Sequence, residues 1–290
     1  MSLLTRRRTE AARPVVALPR WVLLPSLAWL TLFFVVPVLG VFVISVGTPV
    51  GYSGVQLGFD LSSFEKVFSS TFLGVFVRTI GLAVVGTTLV FLIGFPTAYW
   101  LARYGGRRKY LILAILVIPF WTSFIVRTFA WLIVLSPDWF VVRAIEATGV
   151  VEAFRPLGTI GAVGMVVVYN YLPLALLPLY ATLERMNWSM VEAAEDLGAT
   201  GRGAFFQVTL PSIRAGIITS GLLVFVPMTG EYVIPQIIGS GKQALFANLI
   251  GQQFLQAQNW PLGAALAAFL IVVVGVTAVI VLLLAQRREN

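Results

Sequence analysis

The sequence predicts an all-α polytopic membrane protein with six transmembrane helices and both termini in the cytoplasm. Hydrophobic residues make up 59% of the chain, charged residues make up only 11%, and the mean hydropathy is +0.93. Soluble domains carry about a quarter charged residues. The apolar residues fall into six stretches, each long enough for the roughly 20 residues of helix that a bilayer core requires. Together these observations exclude a soluble domain.

The predicted spans are nearly uninterrupted apolar runs separated by polar segments. They cover residues 21–46, 72–102, 110–135, 157–183, 215–238 and 261–285. The first run is too long for the apolar region of a signal peptide and lacks a clear small-residue cleavage site, so we expect a retained helix. The domain organisation is therefore a basic arm (1–20), a membrane domain (21–285) and a short tail (286–290).

The basic residues predict the orientation of these spans. The segments on one side contain 14 of them: Arg6, Arg7, Arg8, Arg13, Arg20, Arg103, Arg107, Arg108, Lys109, Arg185, Arg202, Arg214, Arg287 and Arg288. The segments on the other side contain Lys66, Arg143, Arg155 and Lys242. The positive-inside rule places the first set in the cytoplasm, together with both termini. The net charge of +8 is thus mainly a topology signal, and we expect no nucleic-acid partner.

The composition removes most enzyme chemistry. The chain contains neither cysteine nor histidine, which excludes disulfides, thiolate or imidazole metal sites and catalytic triads that use either residue. We expect no metal and no cofactor. The sequence GSGKQ at 239–243 lacks the leading glycine and the hydroxyl residue of a nucleotide-binding loop. A membrane enzyme would need a nucleophile and a base, and Glu231 is the one carboxylate inside a predicted span.

The polar segment 188–211, between the fourth and fifth spans, predicts a helix-turn-helix outside the membrane. Ser189 and Glu192 have the spacing of a capping box, in which each side chain satisfies a free amide at a helix start. Gly198 is expected to allow a tight turn, and a second short helix should end at Pro211. The small residues Ala193 and Ala194 would let the first helix sit closely in a groove of a partner protein.

The same segment carries a family resemblance. The pattern E-A-A-x3-G-x9-I-x-L-P is matched by Glu192, Ala193, Ala194, Gly198, Leu210 and Pro211, and Val208 replaces the isoleucine. The chain therefore resembles permease subunits of ABC importers, which implies a type I (MetI-like) permease fold. In that family the loop is the coupling helix that docks on the ATPase. The resemblance implies that 188–211, called the coupling segment below, does the same.

Four further stretches are similar to the spermidine/putrescine (PotB-like) branch of that family. They are PFWTSFIVRTFAW (119–131), YNYLPLALLPLYATLERM (169–186), GEYVIPQIIG (230–239) and NWPLGAALA (259–267). The resemblance implies uptake of a polyamine across the cell inner membrane. It also implies a PotC-like second permease, two ATP-binding subunits and an extracytoplasmic solute-binding protein. Related branches carry opines, sulfate or iron, and a channel or secondary transporter remains an alternative that leaves the coupling segment unexplained.

Three ionisable residues fall inside the predicted spans, where a charge needs a partner, a cavity or a route to the headgroups. Arg78 lies six residues from the outer end of its span and can reach the headgroups. Arg127 and Glu231 lie 17 and 16 residues from the cytoplasmic ends of their spans, which is about 24–26 Å of helix rise. They are therefore predicted at the same depth.

Two interpretations of Arg127 and Glu231 follow. They could form a structural ion pair that joins the third span to the fifth. Alternatively, Glu231 could receive a cationic amine in the substrate pathway. The aromatic faces beside it would then come from Trp121, Tyr169, Tyr171 and Tyr232. Most tryptophans and tyrosines of a membrane protein are packing or interface residues, so this aromatic set is the less specific part of the prediction.

Overall fold

The computed structural model describes residues 23–52, 54–149 and 154–287. Its elements in chain order are α1 (Leu24–Ser45), β1 (Thr48–Val50), β2 (Gly54–Gln56), α2 (Ser62–Val67), α3 (Ser70–Tyr104), α4 (Gly106–Trp121), α5 (Phe124–Val134), α6 (Phe140–Ala147), α7 (Ile160–Glu184), α8 (Ser189–Asp196), α9 (Gly201–Ser212), α10 (Arg214–Thr229), α11 (Val233–Ile238), α12 (Phe246–Leu255) and α13 (Trp260–Arg287). The predicted arm 1–20, and residues 288–290 of the predicted tail, lie outside the described residues.

Four predicted spans are confirmed as single long helices. The first, second, fourth and sixth spans correspond to α1, α3, α7 and α13, and each is long and apolar enough to cross a bilayer. Helix α3 is 35 residues long and continues through Pro96. A further short helix, α6, lies between the third and fourth spans. The all-α prediction missed an antiparallel hairpin in which Thr48 pairs with Gln56 and Val50 with Gly54.

The third span is broken, whereas the sequence predicted one continuous helix. Helices α4 and α5 meet at an angle of 89°. Pro119 lies in a 3-10 turn at the end of α4, and Thr122 and Ser123 are extended, with ψ of 154° and 135°. The Thr122 hydroxyl donates to the Pro119 carbonyl over 2.7 Å. A proline removes one helical hydrogen bond and the extended pair removes more, so the chain turns at this point.

The fifth span is also discontinuous. Helix α10 ends at Thr229, the chain leaves the helical path at 230–232, and α11 begins at Val233. At about 1.5 Å per residue, the 16 residues of α10 span roughly 24 Å, less than the bilayer core of about 30 Å. Pro227, Gly230 and Pro235 weaken the helix around the break. Such irregular backbone is stable at membrane depth only where protein or a watery cavity surrounds it.

The core lies where α3, α7, α10 and α11 meet. Helix α7 is the most buried of the long helices, and Val90, Leu101, Leu179, Val224 and Ile234 are among the enclosed side chains. A second apolar cluster joins α2, α12 and α13 through Val67, Phe246 and Leu266. Helix α1 packs on α13 and otherwise leaves its apolar surface exposed, as expected of a helix at the lipid boundary.

The contact between α7 and α10 depends on a glycine. A Cβ atom added at Gly216 would lie 2.7 Å from the Cβ atom of Thr182 on α7, which is closer than van der Waals contact allows. The Thr182 hydroxyl is itself bonded to the Pro178 carbonyl, so it is held in place. Small residues at helix interfaces let membrane helices approach closely.

We predict that Gly216→Ala lowers the melting temperature of the purified protein, because overpacking a close helix contact costs about 1–3 kcal/mol. The matched control is Gly81→Ala in α3, where an added Cβ meets nothing within 4 Å. Thermal unfolding in detergent, followed by tryptophan fluorescence, should separate the two variants. Equal melting temperatures would show that α7 and α10 do not pack as described.

Candidate functional site

The coupling segment folds as two helices joined by a glycine turn, as the sequence predicted. Gly198, between α8 and α9, has a φ of +90°, in the left-handed region that favours glycine. A Cβ atom there would meet nothing within 4 Å, so the turn requires this backbone conformation rather than space. The Thr200 hydroxyl then caps α9 by accepting from the Gly203 amide over 3.2 Å.

The predicted capping box is wrong. Trp188 precedes α8 and already has helical backbone angles, so Ser189 stands inside the helix and its side chain does not cap it. The Ser189 amide donates instead to Asn187 Oδ1 over 3.1 Å. Glu192 turns away from the helix start and forms a salt bridge with Arg103 on α3, with Nη1 and Oε1 3.2 Å apart. Because Asn187 already satisfies the Ser189 amide, the Glu192 carboxylate is available to Arg103.

Arg103 fastens the coupling segment to the end of α3. Besides its salt bridge to Glu192, its guanidinium lies 4.8 Å from the ring centroid of Trp188. Ring contacts continue the attachment: Tyr99 lies 5.6 Å from Trp188 and 5.8 Å from Phe205, and Phe95 lies 6.0 Å from Phe205. Sequence patterns did not predict this set, because no spacing rule links residues so far apart in the chain.

The rest of the coupling segment divides into a seated face and an exposed face. Val191 and Ala204 are buried, and Ala194, Val208 and Leu210 are half-buried. Ala193 and Pro211 are exposed with Glu192. The largest exposed apolar side chain at the turn is Leu197, at 90%, and Met190 and Phe206 also face outward. These three side chains give the exposed face an apolar surface that another protein could cover.

A second group of polar contacts lies at the same end of the bundle. Glu184 closes α7 and accepts from Lys109 Nζ over 2.7 Å and from the Tyr110 and Tyr180 hydroxyls over 3.0 and 2.9 Å. Lys109 and Tyr110 lie near the start of α4, so the first half of the third span is tied to the fourth. The backbone that enters the coupling segment is therefore anchored immediately before Trp188.

The ion pair between Arg127 and Glu231 is not formed: among the described residues the salt bridges do not include either side chain. The depth argument assumed straight helices, and both helices are broken. Glu231 is only 4% exposed. Its Oε2 accepts from the Tyr171 hydroxyl over 2.8 Å, and its Oε1 accepts from the Val233 and Ile234 amides over 3.0 and 3.1 Å. The carboxylate therefore caps the start of α11.

Arg127 has no acceptor in the described part of the chain for Nε and Nη1, although both atoms are buried. Its guanidinium lies 4.8 Å from the ring centroid of Phe120. A cavity of about 250 Å³ adjoins it, lined also by Trp131 and Tyr169, whose rings are 5.3 Å apart. Hydrogen-bond donors left without acceptors are costly in an apolar setting, so this site has room and chemistry for an oxygen acceptor.

The remaining predicted pathway residues are dispersed. Trp121 stands at the break of the third span and is 85% exposed. Tyr232 packs its ring against Gly251 of α12, and its carbonyl accepts from Asn248 Nδ2 over 2.8 Å. Arg78 donates through Nη2 to the Ala244 carbonyl, between α11 and α12. The structure thus brings Tyr171 to Glu231 and Tyr169 to Arg127, as two separate groups.

Comparisons with known proteins agree with this architecture. Residues 92–290 match the family described as binding-protein-dependent transport system inner membrane component. The chain is 32% identical over 248 residues to the spermidine/putrescine transport system permease protein PotB of Escherichia coli (strain K12), covering 85% of this chain and 90% of that protein. It is 30% identical over 260 residues to PotB of Salmonella typhimurium (strain SL1344), covering 89% and 91%.

A solved structure shares the fold. It is a bacterial alginate ABC transporter in complex with an alginate pentasaccharide-bound periplasmic protein, and one of its chains aligns with a TM-score of 0.69. The alignment covers 93% of this chain and 96% of that chain at 18% identity. Breaks in the third and fifth spans are therefore compatible with the predicted MetI-like permease fold.

We predict that Arg103→Gln speeds amide hydrogen exchange in residues 189–212 by roughly three- to tenfold and changes the melting temperature little. An exposed ion pair contributes about 0.2–1 kcal/mol and a cation–π contact about 0.5–1 kcal/mol, enough to loosen a local attachment only. Arg143→Gln, which removes the exposed pair with Asp138, is the matched control. Unchanged exchange in 189–212 would mean that Arg103 does not hold the segment.

Proposed function

We propose a cargo, partners and a coupling route for this chain from the premise that it belongs to the family of binding-protein-dependent transport system inner membrane components. It is accordingly a permease subunit of an ABC importer in the inner membrane, and not itself an enzyme. With no nucleotide-binding motif in its sequence, the chain depends on a separate ATPase for energy.

The proposed assembly contains a second, PotC-like permease, two ATP-binding subunits and an extracytoplasmic solute-binding protein. One chain of this fold offers half of a pathway, which supports a second permease. The excess of basic residues on the side of the coupling segment supports a cytoplasmic position for that segment and for both termini. The ATPase would then meet the exposed face around Leu197, and the binding protein would meet the opposite side.

The coupling proposal rests on one observation: the coupling segment is attached to three spans. The chain connects α8 and α9 directly to α7 and α10, and Arg103 with its aromatic neighbours connects them to α3. A push on Glu192, Ala193, Ala194 and the Leu197 tip by the closing ATPase dimer would therefore move the second, fourth and fifth spans together. Such rigid-body movement would alternate access to a pathway between the two permeases.

We further propose that the cargo is a polyamine such as spermidine or putrescine. The support is the similarity to PotB over most of the chain. Within this chain the proposed pathway contacts are Trp121, Tyr169, Tyr171 and Tyr232, whose ring faces can attract an ammonium group. Since the Glu231 carboxylate is occupied by internal hydrogen bonds, the soluble binding protein carries most of the cargo selection in this proposal.

One observation favours a second candidate cargo. The buried, acceptor-free nitrogens of Arg127 and the adjoining cavity suit a carboxylate or another oxyanion better than an ammonium group. A solute with an anionic group, such as an opine or sulfate, would therefore fit this site, whereas a polyamine would be repelled by it. In that case the transporter would still use the same coupling segment and the same partners.

We predict that Gly198→Val leaves the protein inserted and assembled but reduces cargo-stimulated ATP hydrolysis at least tenfold. A left-handed backbone costs a β-branched residue roughly 1–2 kcal/mol or more, so the turn that presents α8 should change shape. Gly149→Val is the matched control, because Gly149 also has a positive φ and an open Cβ position but lies far from the coupling segment in sequence. ATPase activity would be measured in liposomes with all partner subunits. Full stimulation in Gly198→Val would contradict the coupling role.

We predict that the partner binding protein binds putrescine or spermidine in calorimetry, and that the reconstituted complex imports the same amine. Arg127→Gln should leave the KM for this amine unchanged or lower it, because it removes a positive charge. If calorimetry instead detects an anionic solute, and Arg127→Gln raises the KM for that solute tenfold or more, the polyamine assignment is wrong and the second candidate is supported.

A further inference from the structure

The break in the fifth span frees backbone groups that lipid cannot satisfy. Residues 230–232 leave the helical path, so the first amides of α11 have no carbonyl one turn earlier to donate to. A buried side chain supplies the missing partner, since Glu231 accepts from the Val233 and Ile234 amides. A second buried side chain, Asn248 on α12, donates to the Tyr232 carbonyl, which also accepts from the Gln236 amide.

The same two side chains also connect the break to its surroundings. Glu231 accepts from the Tyr171 hydroxyl on α7, which links the fourth span to the break. Asn248, which is 2% exposed, closes a local loop by accepting from the Leu245 amide over 2.9 Å. The Phe246 amide donates to Thr79 on α3 over 2.9 Å. Helices α7 and α12 therefore hold the break directly through hydrogen bonds, and α3 holds the start of α12.

We propose that Glu231 is a positioning residue, which fixes the direction of α11 relative to α7, and that it is not a cargo ligand. This proposal rests on the proposed function only in its transport measurement, because the structural role of Glu231 does not depend on the cargo. A carboxylate has about four lone-pair sites, and three are occupied by donors on the chain itself. An ammonium group of the cargo could use Glu231 fully only by displacing these donors from a residue that is 4% exposed.

The substitution Glu231→Gln distinguishes a positioning role from recognition of a cationic cargo. In Glu231→Gln the side-chain carbonyl can accept from the Val233 and Ile234 amides, as Oε1 does now. Its NH2 group can donate to the Tyr171 oxygen, which reverses that hydrogen bond without breaking it. The positioning role therefore survives the loss of charge, whereas recognition of a cation does not. Glu231→Ala removes both the charge and every acceptor.

The experiment uses the complete transporter in liposomes, with wild type, Glu231→Gln, Glu231→Ala and Tyr171→Phe compared. We measure KM and kcat for amine uptake, ATP hydrolysis, and the melting temperature of the complex. We expect the KM of Glu231→Gln to stay within about twofold of the wild-type value and its melting temperature to stay unchanged. Ala should lower kcat at least tenfold and lower the melting temperature, and Tyr171→Phe should show a smaller loss in the same direction.

Three outcomes would overturn the proposal. The first is a tenfold or larger rise in KM for Glu231→Gln with unchanged kcat and melting temperature. The second is a Glu231→Ala variant as stable and active as wild type, and the third is a Glu231→Gln variant that loses as much activity and stability as Glu231→Ala. If the wild-type complex imports no amine at all, the proposed cargo fails instead. The melting temperatures and basal ATP hydrolysis of Gln and Ala then still test whether Glu231 positions α11.

Discussion

Backbone hydrogen bonding inside the membrane is the constraint on which this structure depends. Lipid offers no partner for a free amide or carbonyl, so the backbone groups at each break in a span must find partners within the protein. At the break in the third span the Thr122 hydroxyl donates to the Pro119 carbonyl, and at the break in the fifth Glu231 accepts from two amides and Asn248 donates to a carbonyl. Thr122 and Glu231 are thus placed where the helices are interrupted, and an intramembrane charge need not be a substrate site.

Close packing turns these broken elements into a unit that can transmit movement. Helices α3, α7 and α10 share one core, and the Gly216 contact with Thr182 brings two of them to short distance. Arg103, Trp188 and the rings of Tyr99 and Phe205 extend the unit to the coupling segment. Because close-packed interiors transmit displacement with little compression, the segment and the spans can act as one lever. The exposed Leu197 tip is the end of that lever that remains free for a partner.

The two intramembrane charges show that one chain combines two kinds of polar site. Glu231 accepts from a hydroxyl and two amides, so its charge is compensated by fixed dipoles within the chain. Arg127 is the converse case, because its buried donors face a cavity and aromatic rings. The first arrangement holds the backbone at the break in the fifth span, and the second leaves hydrogen-bond donors available to a molecule or a subunit outside this chain. Because Glu231 and Arg127 belong to separate groups, a substitution of one residue tests only the site that contains it.

The sequence by itself determined the membrane class, the four unbroken spans, the coupling segment and its glycine turn, because each depends on local composition or on spacing within a few turns. It did not determine where the third and fifth helices break, since a proline permits a kink but the surrounding partners decide whether the chain leaves the helix. It placed Arg127 and Glu231 at equal depth from helix rise, and that argument failed once both helices were interrupted. Only the tertiary structure could join Glu192 to Arg103 and Glu231 to Tyr171, because these partners lie 89 and 60 residues apart and meet through helix packing.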